Sequence, residues 1–167
     1  MTIEQTQIEL IQQAHRHLGK AMFAAATLER ALVNAAADHR LAAARAEGRK
    51  LGADPWEKAA SEGIDKNLKR LGPRLTAVDG LEDRLIAAKD RRNHLAHDFC
   101  FEAAPHLLAP EPALRVIAEL QADEITFLDL ADEVAAISRA TLEQAGIDRT
   151  LADAVGAALI EQAKKAR

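Results

Sequence analysis

Cys100 is the one cysteine in the chain, so no internal disulfide, zinc ribbon or dithiol redox pair can form. Tyrosine is absent and aromatic residues supply only 3% of the sequence. That is too little for recognition by base stacking or for a β-sandwich core. Every apolar run stops well short of membrane-spanning length. The opening Met1-Thr2-Ile3-Glu4-Gln5 lacks the basic start and apolar stretch of a secretory signal. The expectation is a cytoplasmic protein without membrane contact. The eight glycines do not fall into the spacing of a phosphate-cradling loop, and no cofactor is expected.

What the chain does have is alanine, about a fifth of its 167 residues, which favours close-packed helices. Its length suits one domain covering 1–167, with room for a core. The net charge of −4 argues against a general nucleic-acid coat, but the charge is uneven. Between Ile64 and Leu95 eight Lys and Arg face five acids, whereas from Asp98 onward six basic residues face thirteen acidic ones. The middle is a basic island in an acidic protein. It reads either as a local anion site or as a solvated face of mixed charge.

Ile8, Ile11, Leu18, Met22, Ala25, Leu32 and Ala36 recur at steps of three and four, predicting one long amphipathic helix from about Thr2 to Glu47. Gly48 and Gly52 end it. Asp54-Pro55-Trp56-Glu57 reads as an N-cap, a proline at the first helical position and a capping-box glutamate. The second helix is expected to stop at Leu71, before Gly72-Pro73. A third begins near Asp79 or Gly80, with Leu81, Leu85, Ala88, Leu95 and Phe99 as its stripe. Pro105, Pro110 and Pro112 mark a connection between Glu102 and Glu111. A fourth helix follows with Leu114, Ile117, Leu120, Leu128, Val134 and Ile137, broken by a turn at Asp123 and closed by Gly146. Thr150-x-x-Asp153 caps a short last helix. The fold class is therefore all-α. Two helices of this length exceed what one short partner can cover, which predicts an up-down bundle that dimerises.

Successive helical residues turn by about 100°, and this projection places Arg92 in the middle of the third helix's apolar stripe. Asn93, Asp90 and His97 share a neighbouring polar arc, with His94 at its outer edge and Arg91 on the far side. The same projection puts Glu29 mid-stripe on the first helix. A carboxylate and a guanidinium, each centred on an apolar face, predict a Glu29–Arg92 pair across the bundle. If that pair were fully buried, Glu29→Ala would cost roughly 3 to 5 kcal/mol. A purely structural role for Arg92 follows from the same geometry.

Arg92-Asn93-His94-Leu95-Ala96-His97 resembles the motif of HEPN domains, in which Arg and Asn are followed by three variable residues and His. The expected bundle spans nearly the whole chain, and the motif lies near the end of a central helix, where that family carries it. The resemblance implies a metal-independent endoribonuclease with a composite site at a homodimer interface, Arg92 and His97 coming from both subunits. It also implies the toxin of a toxin–antitoxin pair, with a nucleotidyltransferase-like antitoxin as partner and RNA as substrate. The chemistry fits those residue types: cleavage by RNA's own 2′-hydroxyl needs a proton shuttle near neutral pH and a cation for the phosphate. In that scheme Asn93 orients the imidazole or bonds the substrate, while Arg91 and His94 extend phosphate binding.

Other readings compete. A non-catalytic helical nucleotide-binding or scaffolding module would keep the motif for a nucleotide or for its dimer. Asp90, His94 and His97 at i, i+4 and i+7 could hold a divalent metal, but further ligands cannot be placed and no metal is expected. His15 reads as an interior histidine, His17, His39 and His106 as surface or loop residues, Trp56 as a packing anchor and Cys100 as buried filler.

Overall fold

The computed structural model describes residues 3–50 and 54–148. Among these residues, five α-helices run in the order α1 (Ile3–Ala46), α2 (Pro55–Leu75), α3 (Leu81–His97), α4 (Phe99–Ala103) and α5 (Pro110–Gln144), with a 3-10 segment at Ala104–Leu108 between the last two. No strand occurs among the described residues. The expected helix after Thr150 lies outside them, as does Gly52.

Local signals set the ends of these helices. Asp54 Oδ1 accepts the backbone N–H of Trp56 at 2.8 Å, with Pro55 opening α2. Past the end of α1, Gly48 N–H reaches the Arg45 carbonyl and Arg49 N–H the Ala44 carbonyl, and α5 closes in the same way around Gly146. Both are the paired bonds of a Schellman turn. Two expectations fail here. α2 does not stop at Leu71: it bends at Gly63, whose φ of 74° and ψ of 173° suit only glycine, and continues through Pro73 to Leu75. Burial of Leu71 and Leu75 offsets the one hydrogen bond Pro73 removes. α5 has no turn at Asp123, because that carboxylate is held by a cation on α3.

α1 and α5 form the long axis. The contacts His17 to Gln121 and Asp38 to Ser138 advance together, as does Gln7 to Leu108 just before α5, so the two helices run parallel. Arg84 to Glu133 and Arg91 to Asp123 descend instead, so α3 is antiparallel to α5. The fold is an all-α bundle, but its first and last long helices do not point in opposite directions as simple up-down alternation requires.

The core lies about a quarter-turn away from the stripe that the large residues of α1 suggested. Leu10, Ala14, Ala21, Ala24, Leu28, Leu32 and Ala35 are the buried line, while Ile8 is 55% exposed and Ile11, Leu18 and Met22 flank it. Alanine allows the helix axes to approach closely, so the seam is built from small residues and the larger ones are left at its edge. Leu114 and Leu128, expected inside α5, are exposed because they lie off the face on which Ala113, Val116, Leu120, Phe127, Leu130 and Val134 are buried.

Candidate functional site

α3 is tied to three helices by its cations. Arg84 pairs with Glu133 of α5 through two bonds of 2.7 Å, and Lys89 Nζ lies 3.0 Å from Asp65 of α2. Arg91 grips Asp123 of α5 side-on, with Nε 2.9 Å and Nη2 2.7 Å from Oδ2 and Glu119 beyond at 3.9 Å. Arg92 Nε is 2.5 Å from Glu29 Oε1 of α1. Four of the eight cations of the basic island are thus matched by carboxylates from other helices. Half of the island's cations are neutralised across helices in this way, at partly exposed pairs, rather than left as a continuous positive surface. Hydrogen bonding to Asp123 and Glu133 holds the Arg91 and Arg84 guanidiniums more firmly charged than usual.

Arg92 and Glu29 meet, but neither is fully buried: 33% of one side chain and 31% of the other reach solvent. Glu29 lies at the edge of α1's true core line, not at its centre, and this leaves the pair on the flank. The contact is close without being an aligned hydrogen bond, and Arg92 Nη1 also donates to Asn93 Oδ1 at 3.1 Å. Because solvent screens such a pair, Glu29→Ala is expected to cost about 1 to 2 kcal/mol, below the range for a buried one. Urea unfolding of the variant measures this. A loss above about 3 kcal/mol would mean the pair is shielded as a buried ion pair is.

His97 is the last residue of α3; it is exposed and has no side-chain partner among the described residues. Asn93 is exposed one turn before it. Ile86, Asp90, Asn93 and His97 together form the arc of α3 that points away from α1, α2 and α5. On one helix Arg92 and His97 are about 140° apart, so a single copy does not bring guanidinium and imidazole onto one small group.

Arg91 and His94 open on another side. With Phe99, Glu102, His106 and Glu119 they line an open cleft of about 390 Å³ between α3, α4 and the start of α5. His94 Nε2 is 3.6 Å from Glu102, and its ring meets Phe99 edge-on at 6.3 Å between centroids. The six candidate residues therefore fall into three places: Arg92, Asn93 and Glu29 in contact, Arg91 with His94 in the cleft, and His97 on the outward arc beside Asn93. No group of three or more His, Cys, Asp or Glu among the described residues is arranged to hold a metal ion. Asp123, which anchors Arg91, was missed as a site residue. It shares one face with Leu120, Phe127, Leu130 and Val134, and an acid on an apolar stripe was the available signal.

The other histidines exchange places. His15 is exposed, while His17 is partly buried beside Gln121 at 3.3 Å, because the core line of α1 is rotated towards His17. His39 is half-buried near α2 rather than on the surface, and its imidazole is pushed below its ordinary value by burial, then by Arg74 and Arg70. The folded state therefore takes up this proton less readily than the unfolded chain. Its contribution to stability is complete above about pH 6.5 and is lost as pH falls below that value. In urea unfolding, His39→Gln should flatten the pH dependence below about pH 6.5; unchanged slopes would assign that dependence to other groups. Cys100 is exposed, not buried, because α3 ends at His97 and α4 starts in a new register. Trp56 packs against Ala36, Ala37 and Ala59.

No family model, curated protein or solved structure matches this chain.

Proposed function

We propose that this chain is a metal-independent endoribonuclease of HEPN type, whose site is completed when the outward arcs of α3 from two copies face each other. The observation that carries the reading is the placement of His97: exposed, without a side-chain partner among the described residues, one turn from Asn93, and on a different face from Arg92. A group meant for packing would be covered. An acid–base group must reach solvent and substrate. With two copies, one neutral imidazole takes the proton of the 2′-hydroxyl as the 2′-oxygen bonds to phosphorus. A protonated imidazole returns a proton to the departing 5′-oxygen, and Arg92 balances the charge developing on the phosphate. Asn93 lies where it can orient His97 or bond the substrate, and Arg91 and His94 offer the cleft to a flanking nucleotide. Glu29 positions Arg92. The same proposal includes a role as toxin beside a nucleotidyltransferase-like antitoxin.

Neutralisation of α3's cations favours a second reading, a non-catalytic helical nucleotide-binding or interaction module that uses the same arc for its dimer. No helix among the described residues is long and apolar enough to cross a membrane, so neither reading calls on a spanning segment. The test offers a mixed RNA to the purified protein with and without a chelator, alongside light scattering. Chelator-resistant cleavage by a dimer supports the nuclease. A dimer that leaves every RNA intact, with no inhibitory partner bound, moves the assignment to the interaction module, and a stable monomer removes the composite site.

A further inference from the structure

A second polar cluster lies roughly 16 Å along α1 from Glu29, where α1 meets α2. Glu62, only 12% exposed in its side chain, lies in the bend just before Gly63 and is surrounded by cations. Arg40 Nη2 makes a short contact with its Oε2, Arg70 Nη2 is 3.4 Å from the same oxygen, and Lys58 Nζ is 4.0 Å from Oε1. Arg74 stands on the next turn of α2, its Nη1 bonded to Gln144 at 2.6 Å. The neighbouring acid on α1, Asp38, accepts a hydrogen bond from the Ser138 hydroxyl of α5.

Two features are unexplained by packing alone. Positive charge exceeds negative, since among the described residues Glu62 is the single carboxylate paired with Arg40, Arg70 and Lys58; the depressed affinity of His39 for a proton, caused first by burial and then by Arg74 and Arg70, registers the same field. In addition, Arg40 Nε, Arg70 Nε and His39 Nδ1 are all shut off from solvent without a hydrogen-bond partner. The side-on edge of a guanidinium offers Nε and one Nη together. On both arginines Glu62 occupies the Nη2 corner and leaves the Nε corner idle. Two buried guanidinium N–H donors that lack an acceptor, beside excess positive charge, are the signature of an anion site.

We propose that Arg40, Arg70 and Arg74, between α1 and α2, bind a phosphate group, with Glu62 as the internal carboxylate that holds the site together in its absence. A tetrahedral dianion supplies several acceptors at once and fits two forked guanidiniums better than a spherical halide does. Arg70 and Lys58 keep 35% and 56% of their side chains in solvent, which gives the ligand a way in. The phosphate can be inorganic or the 5′-phosphate of a nucleotide.

Calorimetric titration of the intact protein with inorganic phosphate, with AMP and with adenosine, against sodium chloride of matched ionic strength, tests this without any cleavage assay. Phosphate or AMP should bind and adenosine should not; AMP alone binding would identify a nucleotide site, and both binding equally would identify a site for phosphate itself. Arg70→Gln should weaken binding at least tenfold, and Arg70→Lys, which keeps the charge but loses the fork, less. Glu62→Gln should bind about tenfold tighter, because it removes the competing charge. Arg84→Gln, remote from the cluster, should bind as the wild type does. Circular dichroism of each variant establishes that it is folded. No binding at millimolar phosphate, weakening by Arg84→Gln equal to that by Arg70→Gln, or no gain from Glu62→Gln would each overturn the proposal.

Discussion

His97→Ala should lower RNA cleavage by at least about 10²-fold, the ordinary contribution of a general acid or base, with the melting temperature nearly unchanged. His97 is exposed, makes no side-chain hydrogen bond or ion pair among the described residues and lies on the last turn of α3, so its removal opens no buried cavity and leaves no unpaired buried group. Arg92→Ala should lower cleavage by about 10² to 10³-fold, as loss of a charge-stabilising donor does, but with a measurable loss of stability, since Glu29 Oε1 is then left out of solvent without its cation. The two variants are thus expected to agree in activity and differ in melting curve. His97→Ala that cleaves like the wild type would end the assignment of His97 as proton shuttle. Equal destabilisation by both would mean that His97 is a packing residue.

Phe127→Ala should remove about 3 to 5 kcal/mol of stability, the largest effect on folding expected here. Phe127 is 1% exposed and lies on α5 one turn after Asp123, on the face that meets α1 and α3. The surrounding seam is rich in alanine, and alanines have no side-chain freedom with which to collapse into the space left behind. Against a usual total of about 5 to 15 kcal/mol, such a loss leaves the fold marginal. Denaturant unfolding reads it directly, and a change under about 1 kcal/mol would show that α5 can repack around the gap.

Much of the local architecture was legible in the residues themselves. Asp54-Pro55, Gly48 and Gly146 act within one turn of backbone, so their capping bonds follow from which side chains stand beside which unpaired N–H and carbonyl groups. The exposed position of His97 beside Asn93 follows from a spacing of four. The approach of Glu29 to Arg92 was legible because each stood out as a charge on an apolar face. That both are one-third exposed was not, because α1's core line is set by close-packing alanines rather than by its largest residues.

The chain by itself determined the all-helical class, the caps at Asp54, Gly48 and Gly146 and the angular order of side chains around α3, since each depends on interactions reaching about five residues or fewer. Only the tertiary structure decided which helix stands beside each of those faces. It matched Arg91 with Asp123 and Arg84 with Glu133, gathered Arg40, Arg70 and Lys58 around Glu62, set α1 parallel to α5, and turned Cys100, Leu114 and Leu128 outward. The physical reason is that periodicity orients a side chain about its own helix axis, whereas burial and charge pairing depend on the neighbour that arrives from elsewhere in the chain.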